Sequence, residues 1–306
     1  MNRISTSMMT TSARSDILRA QRSLLEAQQQ VASQRKADDL KGYGTETQSI
    51  VSSKRLIARS EAFAATAKEA QTRLQIQDQS LGRASDTIGE LRQKIIEGMA
   101  LGEVTNLMGE VRQAFDTIRS SLNIQLGGRY LFGGAVDTTP PVTATAPEDL
   151  IGVPAADAFA PDLRPAYVQV DDVTTLEAGP LATTAATVMD AFKALAELNA
   201  PPNAPLTGRP TQAQSTALQG ILQTLGTAGD EMLRAQGANG VALKSAEDAE
   251  IRQSTYADTL TGIVAGKTDV DLTEAVVSLT QAQQQFQASA EAFRSLQGMS
   301  LLDLLR

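Results

Sequence analysis

No cysteine, no histidine and no tryptophan occur among the 306 residues. The first absence excludes disulfides and thiol nucleophiles. The second removes imidazole bases and nearly every transition-metal site built from protein ligands. Aromatic residues make up only 4%, too few for a core built on large rings or for a platform that stacks single-stranded nucleic acid. No apolar run approaches the ~18 residues that span a bilayer. Ser5 to Ser12 is mostly hydroxyl side chains, not the unbroken apolar segment of a secretory signal, so no Sec-type export is expected. Neither a cofactor nor a metal, a membrane or a nucleic acid is expected as a partner, and the ordinary catalytic residues are largely missing.

What charge there is lies unevenly. The net value is -8, which opposes general binding to phosphate backbones. Residues 1–59 nevertheless hold ten Lys/Arg against five Asp/Glu, a basic amino-terminal arm on an acidic body. Arg3, Arg14, Arg19 and Arg22 against Asp16 alone would also suit a transit peptide.

Proline is confined to the middle. All eleven prolines lie between Pro140 and Pro210, leaving 1–139 and 211–306 free of the residue that breaks helix interiors. Two helical arms therefore flank a proline-rich insert. The insert, 136–182, carries eight acids against Arg164 alone, with period-two alternation at Tyr167-Val168-Gln169-Val170. It reads as a small, exposed, acidic lobe rich in strands or loops, the alternative being a disordered linker with little to bury.

The arms repeat apolar residues every three or four positions. Ala13, Ile17, Ala20, Leu24, Ala27 and Val31 form a coiled-coil seam. After a break at Gly42-Tyr43-Gly44, Phe63, Ala67, Ala70, Leu74, Leu81, Ala84, Ile88, Leu91 and Ile95 continue, with Gln77 as the one interruption. At ~1.5 Å per residue this helix reaches roughly 50 Å. Val104, Met108, Val111, Phe115, Ile118 and Leu122 follow a turn at Gly102 and should pack back antiparallel. In the second arm, 184–199 carries Val188, Phe192 and Leu195, and 211–258 carries Leu218, Leu222, Leu225 and Met232. Gly237 and Gly240 weaken the case for one uninterrupted rod there. The last helix holds the spacing through Leu272, Ala275, Leu279, Ala282, Phe286, Ser289, Phe293 and Leu296, with Asp271 placed to cap it. Its Gln281, Gln283, Gln284, Gln285 and Gln287 suit either contact with protein or an ordinary solvated face.

The resulting expectation is a mainly α chain: an elongated antiparallel helical bundle or coiled coil formed by the two arms, with a small inserted lobe. Three regions are expected: 1–45 with 265–306 as a terminal coiled coil, 46–135 with 183–264 as an inner bundle, and 136–182 as an outer lobe. The 13–31 helix is marginal alone and half alanine, so 272–296 is its natural partner, with Phe286 and Phe293 supplying bulk. Both ends are expected to stay disordered in the monomer and to order only when packed among neighbouring subunits. Asp38-Asp39 and Asp171-Asp172 are carboxylate pairs without a second convergent motif, and read as caps or solvated loops in preference to acid/base, glycan-active or metal sites.

Short motifs carry a resemblance. Arg3-Ile4-Ser5-Thr6-Ser7-Met8-Met9 resembles the start of the flagellar hook-filament junction proteins, the flagellin-like third hook-associated protein. Gly128-Arg129-Tyr130-Leu131-Phe132-Gly133-Gly134 is similar to that family's turn into its outer domain. Its glycines allow a sharp exit from the helix, and Tyr130, Leu131 and Phe132 form an apolar plug. Asp269 to Ala275 and the tail Ser300-Leu301-Leu302-Asp303-Leu304-Leu305-Arg306 resemble both flagellins and junction proteins. The likeness covers about 1–135 and 211–306. One departure is Ser33-Gln34-Arg35-Lys36, where the family usually has a Ser-Ser-Gly-Lys/Arg turn.

The resemblance implies a secreted structural subunit of the bacterial flagellum, not an enzyme. It would be exported unfolded through the flagellar type III apparatus and assembled with copies of itself, a neighbouring hook-associated protein and flagellin, with an export chaperone as a further partner. The assembly surface is expected at Ile4, Ile17, Leu24, Val31, Leu272, Leu279, Phe286, Phe293, Leu296, Leu301 and Leu302. Flagellin itself is the near alternative. A coiled-coil adaptor, dimerising through a parallel seam, is the distant one.

Overall fold

A computed structural model describes residues 2–201, 203 and 205–304, apart from the side chains of 2–7, 10 and 297–304. Six α-helices dominate the described residues: α1 (Asn2–Ser33), α2 (Thr47–Leu101), α3 (Leu107–Leu122), α4 (Ala186–Asn199), α5 (Gln212–Thr268) and α6 (Leu272–Leu304). Two small antiparallel hairpins accompany them, β1 (Gln125–Leu126) with β2 (Arg129–Tyr130) and β3 (Tyr167–Gln169) with β4 (Thr175–Glu177). The chain divides into two compact units, Met1–Arg59 with Tyr256–Arg306, and Ser60–Thr255. The expected class, helical arms with a small inserted lobe, is the one observed.

The helix boundaries follow from local chemistry. α2 ends where Gly102 takes a left-handed φ of 65°. The Glu103 N–H then returns to the Gly98 carbonyl at 2.9 Å and the Gly102 N–H to Met99 at 3.3 Å, a glycine stop that satisfies the last open carbonyls. At the start of α6, Asp271 Oδ1 accepts the N–H of Thr273 at 2.8 Å and of Glu274 at 3.4 Å, the expected cap.

Gly237 and Gly240, which weaken the case for an uninterrupted rod, do not break it: α5 is one helix of 57 residues. Each exposed glycine costs a helix about 1 kcal/mol. The buried face made by Met232, Asn239, Ala246 and Ala249 offsets that cost, and the Asn239 side-chain N–H donates to the Leu74 carbonyl of α2 at 2.8 Å.

In the Ser60–Thr255 unit, α2 and α5 run antiparallel. Their meeting line at Ala67, Ala70, Leu74, Ala246 and Ala249 is largely alanine. Beyond it the core widens around Leu81, Ile88 and Ile95 of α2, Phe115 and Ile118 of α3, Phe192 of α4, and Leu218 and Leu225 of α5. Phe115 meets Phe192 edge to face, with centroids 5.2 Å apart at 78°, the arrangement favoured by ring quadrupoles.

The insert is ordered and belongs to this core. Tyr167–Gln169 is a strand as its alternation predicts, but the lobe is less exposed than its acidic composition implies. Val142, Leu150, Ala158 and Phe159 are buried in the same cluster as α3 and α4. Asn123 ties the lobe to the end of α3 by pairing both ways with Val142: its Nδ2 donates to the carbonyl and its Oδ1 accepts the N–H, each at 2.9 Å. Borrowed core explains why a segment with few large apolar residues folds at all.

Candidate assembly surface

Within the unit formed by Met1–Arg59 and Tyr256–Arg306, α1 packs against α6. The chain reverses between their near ends through paired backbone hydrogen bonds, the Lys36 N–H to Thr268 O at 2.8 Å and the Val270 N–H to Gln34 O at 3.1 Å. The two helices are therefore antiparallel. Lys36 Nζ reaches the Gly266 carbonyl at 3.2 Å, placing a cation where the carbonyl end of α5 favours one. Lys267 pairs with Glu46 and donates to Ser49 Oγ, and Tyr43 donates to the Ala37 carbonyl at 2.6 Å. In the acidic pair at 38–39, Asp39 is a cap: its Oδ1 accepts the Gly42 N–H at 3.0 Å. Among the described residues no cluster of three His, Cys, Asp or Glu is placed to hold a metal.

The α1–α6 seam is tightest at its small residues. Ala20, Ala27, Ala275 and Ala282 are the buried members, at 6% exposure or less. Ile17, Leu24, Val31, Leu279, Phe286, Phe293 and Leu296 are half-buried along it, whereas Leu272 is exposed. Ile4, Leu301 and Leu302 lie outside the described side chains. The seam residues thus meet one another inside a single chain.

The opposite side of α1 carries a second series, alternating arginine and leucine, that the seam does not use. Arg14, Leu18, Arg22 and Leu25 recur at four, four and three positions, so they share one face. All four are exposed, Leu18 and Leu25 at 53% each. Among the described residues of α6, the large exposed apolar side chains are Leu272, Val276 and Val277. These outward residues were legible in principle, since Leu18 and Leu25 are seven apart, but the stronger seam period masks them.

The turn at Gly128-Arg129-Tyr130-Leu131-Phe132-Gly133 has a different backbone from the one expected. α3 has already ended at Leu122, and the glycines turn a hairpin instead: Gly127 at φ 60° and Gly128 at φ 81° form the two-residue loop between β1 and β2. Positive φ at both central positions matches the twist of a tight hairpin. The plug is present, with Leu131 and Phe132 buried, while Arg129 pairs with Asp137 at 3.1 Å. The grip on this turn comes from residues without an expected role. Arg73 of α2 donates to Leu131 O at 2.7 Å and to Ala178 O at 3.0 Å, and Gln77 Nε2 donates to Leu131 O at 2.8 Å. One helical turn thereby holds both ends of the insert. Burial lowers the Arg73 guanidinium from its ordinary value, with nearby Asp137 acting in the opposite direction. The available signal was Gln77 itself, a polar residue on an otherwise apolar seam.

No protein-family model matches the chain, and no curated protein matches it in sequence. Solved structures do match its shape. A protein assigned as a flagellar hook-associated protein from Vibrio parahaemolyticus superposes with a TM-score of 0.59 at 14% identity, over 76% of this chain and 99% of that one. FlgL of Xanthomonas campestris gives a TM-score of 0.54, also at 14% identity, over 70% of this chain and 99% of that one. The helical arms with an inserted lobe therefore form the fold seen in flagellar hook-associated proteins. The FlgL structure from Xanthomonas campestris is one example of that fold.

Proposed function

We propose that this chain is a structural subunit of the bacterial flagellum, placed between hook and filament and assembled through its terminal helices. The carrying observation is the stripe Arg14–Leu18–Arg22–Leu25, exposed among the described residues on the side of α1 away from the α6 seam. Large apolar side chains left half in water on a helix that already has an intramolecular partner are the remainder of an interface. Fully burying one such residue contributes about 1.5–3 kcal/mol. Copies of the same chain and the adjoining hook and filament proteins are the partners that fit. Export as an unfolded chain with a chaperone, and residence in the extracellular appendage, belong to the same reading, which the shared fold supports.

The Leu18→Ser/Leu25→Ser variant tests it. The chain is expected to keep its helical content while cells lose filaments or shed them into the medium. Wild-type motility with normal expression would refute the reading. A flagellin role is the alternative, because the stretch Ser300 to Arg306 resembles both kinds of protein, and gene deletion separates the two. Shed filaments identify the junction part, and hooks bare of filament material identify the main filament subunit. The antiparallel α1–α6 pairing disfavours an adaptor that dimerises along a parallel seam.

A further inference from the structure

The β3–β4 hairpin presents apolar side chains to solvent without need of them for its own fold. Val173 in its turn is 92% exposed and Tyr167 at its base is 66% exposed. The turn is held in shape by Asp171, whose Oδ1 accepts the N–H groups of Val173 at 2.8 Å and Thr174 at 2.7 Å. Tyr167 stands across from Glu177 in the strand register, and Asp172 and Glu177 are exposed. Arg252 lies near enough to Asp171 to act on it electrostatically, yet the hairpin remains acidic overall. Its opposite face, Val168 and Leu176, packs on the alanine line of α2 and α5, so the exposed side chains are carried on an anchored base.

A surface of matching chemistry exists at the start of α2. Thr47 to Arg59 contains Lys54, Arg55 and Arg59 and no acidic residue. Lys54 and Arg55 are exposed, and between them and Arg59 stands Leu56 at 40% exposure. An apolar residue flanked by Lys54 and Arg55 complements an apolar tip flanked by Asp171 and Asp172. Burying both sides removes apolar area from water while the charges meet at the rim.

We propose that the β3–β4 hairpin of one copy docks on the first turns of α2 of a neighbouring copy, with Val173 of the turn against Leu56 and the hairpin carboxylates against Lys54 and Arg55. The inference rests on the self-assembly reading above and adds a second, charge-steered contact to the one made by α1.

The absence of cysteine from the chain permits a clean test. Full-length Val173→Cys protein is mixed under mild oxidation with full-length Leu56→Cys protein, and the mixed disulfide is compared with that formed by a Gln223→Cys control, an exposed site on α5. The Val173–Leu56 pair is expected to form about tenfold faster than the control. Adding Lys54→Glu/Arg55→Glu to the Leu56→Cys copy, or raising salt to about 0.5 M, is expected to bring it back to the control rate. Equal rates for the pair and the control overturn the proposal, as does faster joining of Val173→Cys to itself, or a rate indifferent to charge reversal. The underlying reading fails separately. If Leu18→Ser/Leu25→Ser leaves incorporation intact while the Val173–Leu56 disulfide still forms selectively, the role of α1 falls and the hairpin contact stands.

Discussion

Gln77 Nε2 donates to the Leu131 carbonyl at 2.8 Å from a side chain with no solvent exposure. That bond joins the middle of α2 to the point where the chain leaves the first hairpin for the insert, and Gly179 closes over the same amide as the chain returns. Gly179 has a φ of 104°, and a Cβ there would lie well inside contact distance of Gln77 Oε1. Glycine is required both for the backbone conformation and for the approach.

Gly179→Ala is therefore expected to lower stability by about 2–3 kcal/mol, from backbone strain together with overpacking. Gln77→Ala alone removes a buried hydrogen bond, at about 1–2 kcal/mol. The double variant should cost less than the sum of the two, since deleting the amide relieves the collision, with a coupling of about 1 kcal/mol read from urea midpoints. Strictly additive costs would remove the steric account of Gly179.

A second substitution should raise stability. The chain turns out of α1 through Gln34, whose φ is 55°, a left-handed conformation in which a side chain is strained and glycine is not. The sequence has no glycine in this stretch, and the backbone takes the glycine conformation regardless. Gln34→Gly is expected to stabilise the unit containing α1 and α6 by about 0.5–1 kcal/mol, net of the greater entropy glycine has when unfolded. Slower amide exchange along α1 would record it. A lower thermal midpoint would show that the Gln34 side chain contributes more than its backbone costs.

The seams were legible because a helix with one buried face repeats its apolar residues at 3.6, and that period survives at Ile17 and Leu24 or at Leu81, Ile88 and Ile95 without knowledge of the partner. Asp271 was legible for a similar reason, as a cap is a local device. Arg73, Gln77 and Asn239 were not, because each binds a backbone carbonyl distant in sequence, and nothing at positions 73, 77 or 239 specifies Leu131, Ala178 or Leu74. The insert was under-read for the opposite reason. Its acids are visible in composition, whereas its burial depends on core that α3 and α4 provide. The continuity of α5 through Gly237 and Gly240 likewise depends on tertiary packing outweighing local propensity.

The alanine line of the α1–α6 seam sets how close the helices lie. Ala27 is 6% exposed and Ala282 is 5% exposed, so a larger side chain at either position must push the pair apart. Ala27→Leu is expected to cost about 1–3 kcal/mol by overpacking, despite the general preference for leucine in coiled-coil seams. Urea unfolding followed by far-ultraviolet dichroism reads the change. A stabilised Ala27→Leu variant would mean that the seam contains space the alanines do not fill.

Acid should loosen the start of α6 through a single carboxylate. The Thr273 and Glu274 N–H groups hold Asp271 below the usual carboxylate range, because an ionised oxygen accepts these bonds better than a protonated one. A folded value below the unfolded one, about 3.9, means that the charged cap contributes fully above the unfolded value. Its contribution is lost as the pH falls through the folded value. Asp271→Ala should accordingly lower the thermal midpoint at neutral pH, and the gap from wild type should narrow as the pH drops below about 4. Asp171 is held low in the same direction, first by the Val173 N–H, so Asp171→Ala serves as a parallel case in the other unit. If the Asp271→Ala gap stayed constant into acid, the side chain would be acting through its shape or helix propensity, and the ionised cap would not be what starts α6.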